Sequence, residues 1–132
     1  MYCAESRALA MLEILAHIGT KRYLRRAKFV AIPVDVPDDL ITRPRSLPAD
    51  WDRKPPADST RRLGSRFLSD PAHPVLQVPS AVVAAEYCFV LNPAHPHFSR
   101  LLIGAAEPLD FDARVITADP PMFKPSAKAF AN

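Results

Sequence analysis

Fifteen prolines against three glycines limit what this 132-residue chain can build. Proline fixes φ and removes a backbone donor, so it ends helices and confines strands to short or edge positions. Pro33 interrupts the β-rich run 29–34 and predicts an edge strand or a strand end there. Pro71 closes a helix predicted over about 60–68, with Ser59 as its cap, and Pro79 stops a strand predicted over 75–78. Pro33, Pro37, Pro44, Pro48, Pro55 and Pro56 fall close together, among Asp38, Asp39, Asp50, Asp52 and Asp58. No hydrophobic period shows there, which predicts a long ordered loop over 35–58 anchored by the single Trp51. The glycine shortage excludes more. Gly19, Gly64 and Gly104 are isolated, so neither a phosphate-cradling P-loop nor a dinucleotide fingerprint can be present, and a Rossmann cofactor site is excluded.

One window free of proline carries a clear helical period. From Arg7 onward, Ala8, Leu9, Met11, Leu12, Leu15, Ala16 and Ile18 cover a broad apolar face. Glu5 and Ser6 supply a negative first turn and an N-cap, and Gly19 stands where a C-cap glycine belongs. The apolar start Met1-Tyr2-Cys3-Ala4 is expected to run straight into this helix. Residues 21–26 form a basic connection, 87–91 a second strand, and 92–98 a turn or short helical loop. A third strand is expected at 101–104 and a fourth from the alternation over 109–115, with a loose tail after it.

Length and composition fit one globular domain. No apolar run approaches the ~20 residues of a membrane span, and the N-terminus lacks the pattern of a signal peptide. Two cysteines, Cys3 and Cys88, make no disulfide framework, so a cytoplasmic location is the expectation. The net charge is +3, and 12 of the 17 cationic residues are Arg, which suits contact with carboxylates or phosphates. An anionic small molecule, an acidic protein and RNA all remain open on charge alone. His17, His73, His95 and His97 stand in no metal-ligand spacing, and His95 and His97 read as turn-packing residues. Arg61, Arg62 and Arg66 read as a solvated helix face. Ser80 has no nucleophile-elbow context.

What remains is a constellation: Tyr2, Glu13 and Ser80. Glu13 lies between Leu12 and Ile14, close to the buried stripe, where a carboxylate needs a partner or a role. His17, four residues on, shares its face. On spacing alone these residues also fit a plainer account, in which Tyr2 is a terminal aromatic, Glu13 pairs with His17 or an Arg, and Ser80 caps a turn.

Three segments together, YCAESRALAMLEILAH at 2–17, VLQVPSAVVAAEYCFVLNPAHPHF at 75–98 and PLDFDARV at 108–115, carry a resemblance. IPVDVPDDL, LPADWD and STRRLGSRFL lie between them in order. The chain resembles the RES domain, the toxin half of RES–Xre toxin–antitoxin pairs, over 1–115, with 116–132 as a tail. The resemblance implies an α+β fold like that of ADP-ribosyltransferases, a mixed sheet with short helices. It also implies breakdown of NAD at the nicotinamide–ribose bond, with NAD as substrate and no cofactor or metal. Glu13 and Ser80 then stand at catalytic positions, and Tyr2 at a substrate-binding one. The family's Arg belongs to a Gly-Gly-Arg-Trp-Asn-like segment expected upstream of this sequence, so no Arg here inherits its role. An Xre-type antitoxin is the implied partner, with a possible homodimer, no membrane, and nucleic acid met only through the antitoxin.

Two other readings stay open at this point. One is a catalytically silent remnant that acts only as a protein-interaction module. The other is a nucleic-acid binder using the basic clusters at 21–26 and 61–66, which lack the interleaved aromatics or helix-turn-helix spacing such a binder needs.

Overall fold

Two strands of five residues, β5 (Val75–Pro79) and β6 (Tyr87–Leu91), form the centre of the molecule in the computed structural model, which describes residues 1–18, 24 and 27–116. They pair antiparallel, Val75 opposite Leu91 and Pro79 opposite Tyr87. Their β-branched and aromatic residues suit a pleated, half-buried surface. On one side β1 (Tyr2–Ala4) joins β6 antiparallel, and on the other β4 (Ile41–Thr42) joins β5 in parallel. The result is a mixed four-stranded sheet in the order β1-β6-β5-β4. Two short ribbons flank it: β2 (Phe29–Ala31) with β8 (Glu107–Leu109), and β3 (Val34–Asp35) with β7 (Leu102–Ile103). With helices α1 (Arg7–His17), α2 (Asp58–Leu68) and the single turn α3 (Ala113–Ile116), this is the α+β arrangement that the resemblance implies.

The two faces of the sheet do different things, because side chains alternate along a strand. Val75, Gln77, Leu91 and Cys3 share one face by register, with Ile41 and Phe89. There Val75 and Leu91 pack with Leu40 and Leu101, and Val34, Val36 and Phe98 close around them. This is the core. The opposite face presents Tyr2, Ala4, Leu76, Val78, Cys88 and Val90. These residues, apart from the buried Cys88, line a cavity shared with α1 and α2.

Several expectations need correction. Met1–Ala4 does not run straight into the helix: it is β1, tied by the N-terminal amine to the Leu91 carbonyl at 2.9 Å and by the Leu91 N–H to the Met1 carbonyl at 2.8 Å. Its partner is some ninety residues away, so no local pattern announces it. The 35–58 segment is not all loop. It contains a 3-10 turn, Asp38–Leu40, and β4, whose two residues are ordered by β5 alone. Helix α2 starts at Asp58, with Ala57 as N-cap and no side-chain cap. Ser59 lies inside that first turn and donates instead to Asp50 Oδ1 at 2.5 Å, fastening the loop to the helix. The alternation over 109–115 does not make a strand. The strand is β8, held by β2, and Asp112 then accepts from the Arg114 N–H at 2.8 Å, starting α3. The third strand shrinks to Leu102–Ile103, because Leu101 caps the 3-10 turn Pro96–Arg100, its N–H donating to the Phe98 carbonyl at 3.1 Å. Gly19 and the 117–132 tail lie outside the described residues, as does most of 21–26.

Gly104 has a positional reason. A Cβ there would come within 2.6 Å of the Pro33 ring, and its N–H donates to the Pro33 carbonyl at 2.8 Å. Only a residue without a side chain lets the strand end approach this proline so closely.

Candidate active site

Helix α1 brings its carboxylate inward by simple spacing. Ser6 caps the helix, its Oγ accepting from the Leu9 N–H at 3.1 Å. Leu9 is completely buried, and one turn later on the same face Glu13 is only 7% exposed. A carboxylate so placed needs donors, and the sheet supplies them. Ser80 Oγ donates to Glu13 Oε1 at 2.7 Å, and the Cys88 thiol approaches the same oxygen at 3.5 Å. Both are themselves buried, Ser80 at 0% exposure. The Ser80 hydroxyl also accepts from the Val82 and Val83 N–H groups at 3.0 Å each. That fixes its rotor: two backbone donors occupy its lone pairs, and its one proton points at Glu13.

The second carboxylate oxygen stands differently. Glu13 Oε2 lies 3.7 Å from His17 Nδ1. That ring nitrogen is 2.7 Å from the Glu13 backbone carbonyl, to which it donates, since a carbonyl only accepts. Oε1 is thus committed to the protein interior, while Oε2 lies on the side of the exposed His17.

A cavity of about 620 Å³ opens over this face, lined by Tyr2, Glu13, His17, Trp51, Leu63 and Val78 among others. Its wall is overwhelmingly apolar, so a charge inside is screened little by water. Trp51 reaches it from a turn in which its N–H donates to the Pro48 carbonyl at 3.1 Å. The loop anchored by Trp51 is therefore one wall of the cavity. Burial raises the Tyr2 phenol well above its ordinary value, with the Cys88 thiol and the Glu13 carboxylate adding to the rise. Burial likewise pushes the Cys88 thiol up to about 11, the neighbouring carboxylate contributing. Both groups keep their protons at neutral pH, and the Cys88 thiol acts as a donor facing the carboxylate.

The structure thus gathers Glu13, Ser80 and Tyr2 at one place, with distinct positions. Glu13 and Tyr2 line the cavity; Ser80 stands behind Glu13 and has no surface exposed to the cavity. Cys88 and His17 complete the group. Cys88 had no signal in the sequence, being one apolar residue of a strand that only register brings beneath Glu13. His17 had one, its i, i+4 spacing from Glu13. Other candidates are accounted for by packing. His95 is buried, with Nε2 2.8 Å from the Pro71 carbonyl and Nδ1 accepting from the His97 N–H at 3.1 Å. Asn92 donates to the Leu68 carbonyl at 3.1 Å. Arg61, Arg62 and Arg66 are exposed on α2, as predicted for a solvated face. Among the described residues no group of three or more His, Cys, Asp or Glu could hold a metal, and no helix is long and apolar enough to cross a membrane.

The family model of the RES domain matches residues 1–112. A protein named Toxin Res from Photorhabdus laumondii is 34% identical over 123 residues, covering 89% of this chain and 76% of the relative. A Prs ADP-ribosylating toxin from Sphingobium is 30% identical over 126 residues, 88% of this chain and 74% of the relative. A Toxin Res from Yersinia enterocolitica is 32% identical over 111 residues, 84% and 72% respectively.

Proposed function

The chain belongs to the RES domain family, and from that premise we propose that it is an enzymatic toxin that cleaves NAD at the nicotinamide–ribose bond. The observation that carries this reading is Glu13: a nearly buried carboxylate, held through one oxygen by Ser80 and Cys88, at the wall of a mostly apolar cavity large enough for a nucleotide. The names of relatives, Toxin Res and Prs ADP-ribosylating toxin, support the toxin role and the transfer chemistry.

The chemistry follows from the residue types. When the bond between ribose C1′ and the pyridinium nitrogen breaks, its electron pair leaves with nicotinamide, and positive charge develops on the ribose. A fixed carboxylate stabilises that charge without having to reorganise, and more strongly in a dry site than in water. Ser80 and Cys88 act as positioning residues: they hold Oε1 so that Oε2 is presented to the ribose. Tyr2 and Trp51 offer aromatic walls for the nicotinamide ring. The ADP-ribosyl centre is then captured by water, by phosphate or by a protein acceptor. An Xre-type antitoxin would silence the enzyme by covering the cavity.

The purified chain, incubated with NAD, is expected to release nicotinamide. Glu13→Gln keeps the shape, removes the charge, and should lower turnover at least a hundredfold with little change in KM, the pattern of a transition-state interaction. Ser80→Ala should lower kcat by roughly tenfold to a hundredfold, the worth of one charge-assisted hydrogen bond. Release of nicotinamide by Glu13→Gln at the native rate would sink the reading.

A further inference from the structure

Cleavage of the ribose bond leaves His17 without a task. Glu13 meets the ribose, and Ser80 and Cys88 hold Glu13; His17 does neither. An exposed histidine in the last turn of a helix is usually just solvated. His17 differs in how its ring is held. Nδ1 lies 2.7 Å from the Glu13 carbonyl and 3.7 Å from Glu13 Oε2, and two oxygens so placed keep the proton on this nitrogen. Nε2, across the ring, then carries the lone pair, and no described residue donates to it. A carboxylate, an imidazole oriented through Nδ1 and a free lone pair on Nε2 make the arrangement that takes a proton from an attacking hydroxyl.

The place suits that proton. His17 stands one helical turn beyond Glu13 and lines the same cavity. Its side chain is 70% exposed, against 9% for Glu13. The carboxylate therefore meets the ribose from within, and the imidazole meets what arrives from solvent. Glu13 has no oxygen to spare for this work. Oε1 is taken by Ser80 and Cys88, and Oε2 is needed against the charge that develops on the ribose.

Charge decides what arrives. The cavity wall is mostly apolar and, among the described residues, carries no Lys or Arg. A phosphate dianion approaching C1′ comes beside the Glu13 carboxylate, in surroundings that screen the repulsion little. Water or an alcohol meets no such penalty, but is a poor nucleophile until a base takes its proton.

We infer that His17 is the general base that activates a neutral hydroxyl acceptor, water or an alcohol, for attack on ribose C1′. The inference rests on the reading of the chain as an NAD-cleaving enzyme and narrows its second substrate. An oxygen lone pair of the acceptor forms the new bond to C1′. The bond from C1′ to the pyridinium nitrogen breaks, and its electron pair leaves on neutral nicotinamide. The acceptor's proton passes to His17 Nε2, while the Nδ1 proton stays in place. The positive charge gained by the ring faces Glu13 Oε2 and the Glu13 carbonyl. With water the product is ADP-ribose.

The test compares NAD turnover by the full chain with that by His17→Ala and His17→Gln, each checked for folding by circular dichroism. Both should lower kcat roughly a hundredfold or more, with KM little changed. Gln retains an amide donor for the Glu13 carbonyl but has no basic lone pair. Native turnover by His17→Gln would reduce His17 to a structural hydrogen bond and overturn the proposal. Added imidazole should restore nicotinamide release by His17→Ala about tenfold or more, with ADP-ribose as the product. Absence of that rescue also overturns it. In the native chain, methanol should divert part of the product to the methyl riboside, whereas phosphate at the same concentration should yield little phosphorylated ADP-ribose. A mainly phosphorylated product removes the neutral acceptor. If the native chain releases nicotinamide and His17→Ala matches its rate, only the proposal falls. If the native chain releases none, NAD cleavage falls and the base with it.

Discussion

Glu13 is useful because its two oxygens are treated differently. Oε1 accepts from Ser80 and Cys88 inside the protein, and Oε2 is left toward His17 and the cavity. The cost of burying a carboxylate is offset by donors that are themselves fixed. The Cys88 thiol has a consequence for stability. Burial lifts it from the usual 9.0 to about 11, so the folded state binds this proton more tightly than the unfolded one. Its contribution is complete below about pH 9 and is lost as pH rises toward 11. Denaturant unfolding should therefore show stability falling across pH 9–11, and Cys88→Ala, destabilised overall, should show a shallower fall. Parallel pH profiles for the two proteins would contradict this. How the sequence reports such a residue is instructive: Glu13 was visible as a carboxylate near an apolar stripe, whereas Cys88 looked like any apolar strand residue until β6 was placed under α1.

Among the elements, α2 and the end of β7 show opposite uses of glycine. Gly64 sits inside α2 on the cavity wall, and a Cβ there would meet nothing within 4 Å. Gly64→Ala should stabilise the helix by about 0.5–1 kcal/mol, while its methyl group takes space from the cavity and raises KM for NAD. Gly104→Ala drives a methyl group against the Pro33 ring and should cost about 1–3 kcal/mol. Thermal melts of the two variants, moving in opposite directions, check both. α1 and β6 were legible because each carries its own period or β-rich run. β1, β4 and β8 were not, since two or three residues hold no period and are ordered only by partners distant in sequence.

For the molecule as a whole, the central sheet separates the core from the cavity. One face packs Val75 and Leu91 into the core, and the other, with Leu76, Val78 and Val90, lines the cavity. Leu91→Ala should therefore cost about 2–5 kcal/mol of folding free energy and leave KM for NAD unchanged in the surviving folded fraction. Val78→Ala should alter KM at a smaller loss of stability. Chemical denaturation with parallel kinetics distinguishes the two, and a KM change in Leu91→Ala equal to that in Val78→Ala would contradict the division. By itself the sequence determined α1, β5 and β6, the proline-punctuated loop with its Trp51, the absence of a nucleotide-binding glycine loop, and a family resemblance that singled out Tyr2, Glu13 and Ser80. These are local facts: period, punctuation and wording. Only the tertiary structure decided that Ser80 stands behind Glu13, that Cys88 shares its oxygen, and that Arg43 donates to Gln77. Each depends on strand register between distant segments, and a shift of one residue would turn every side chain to the other face.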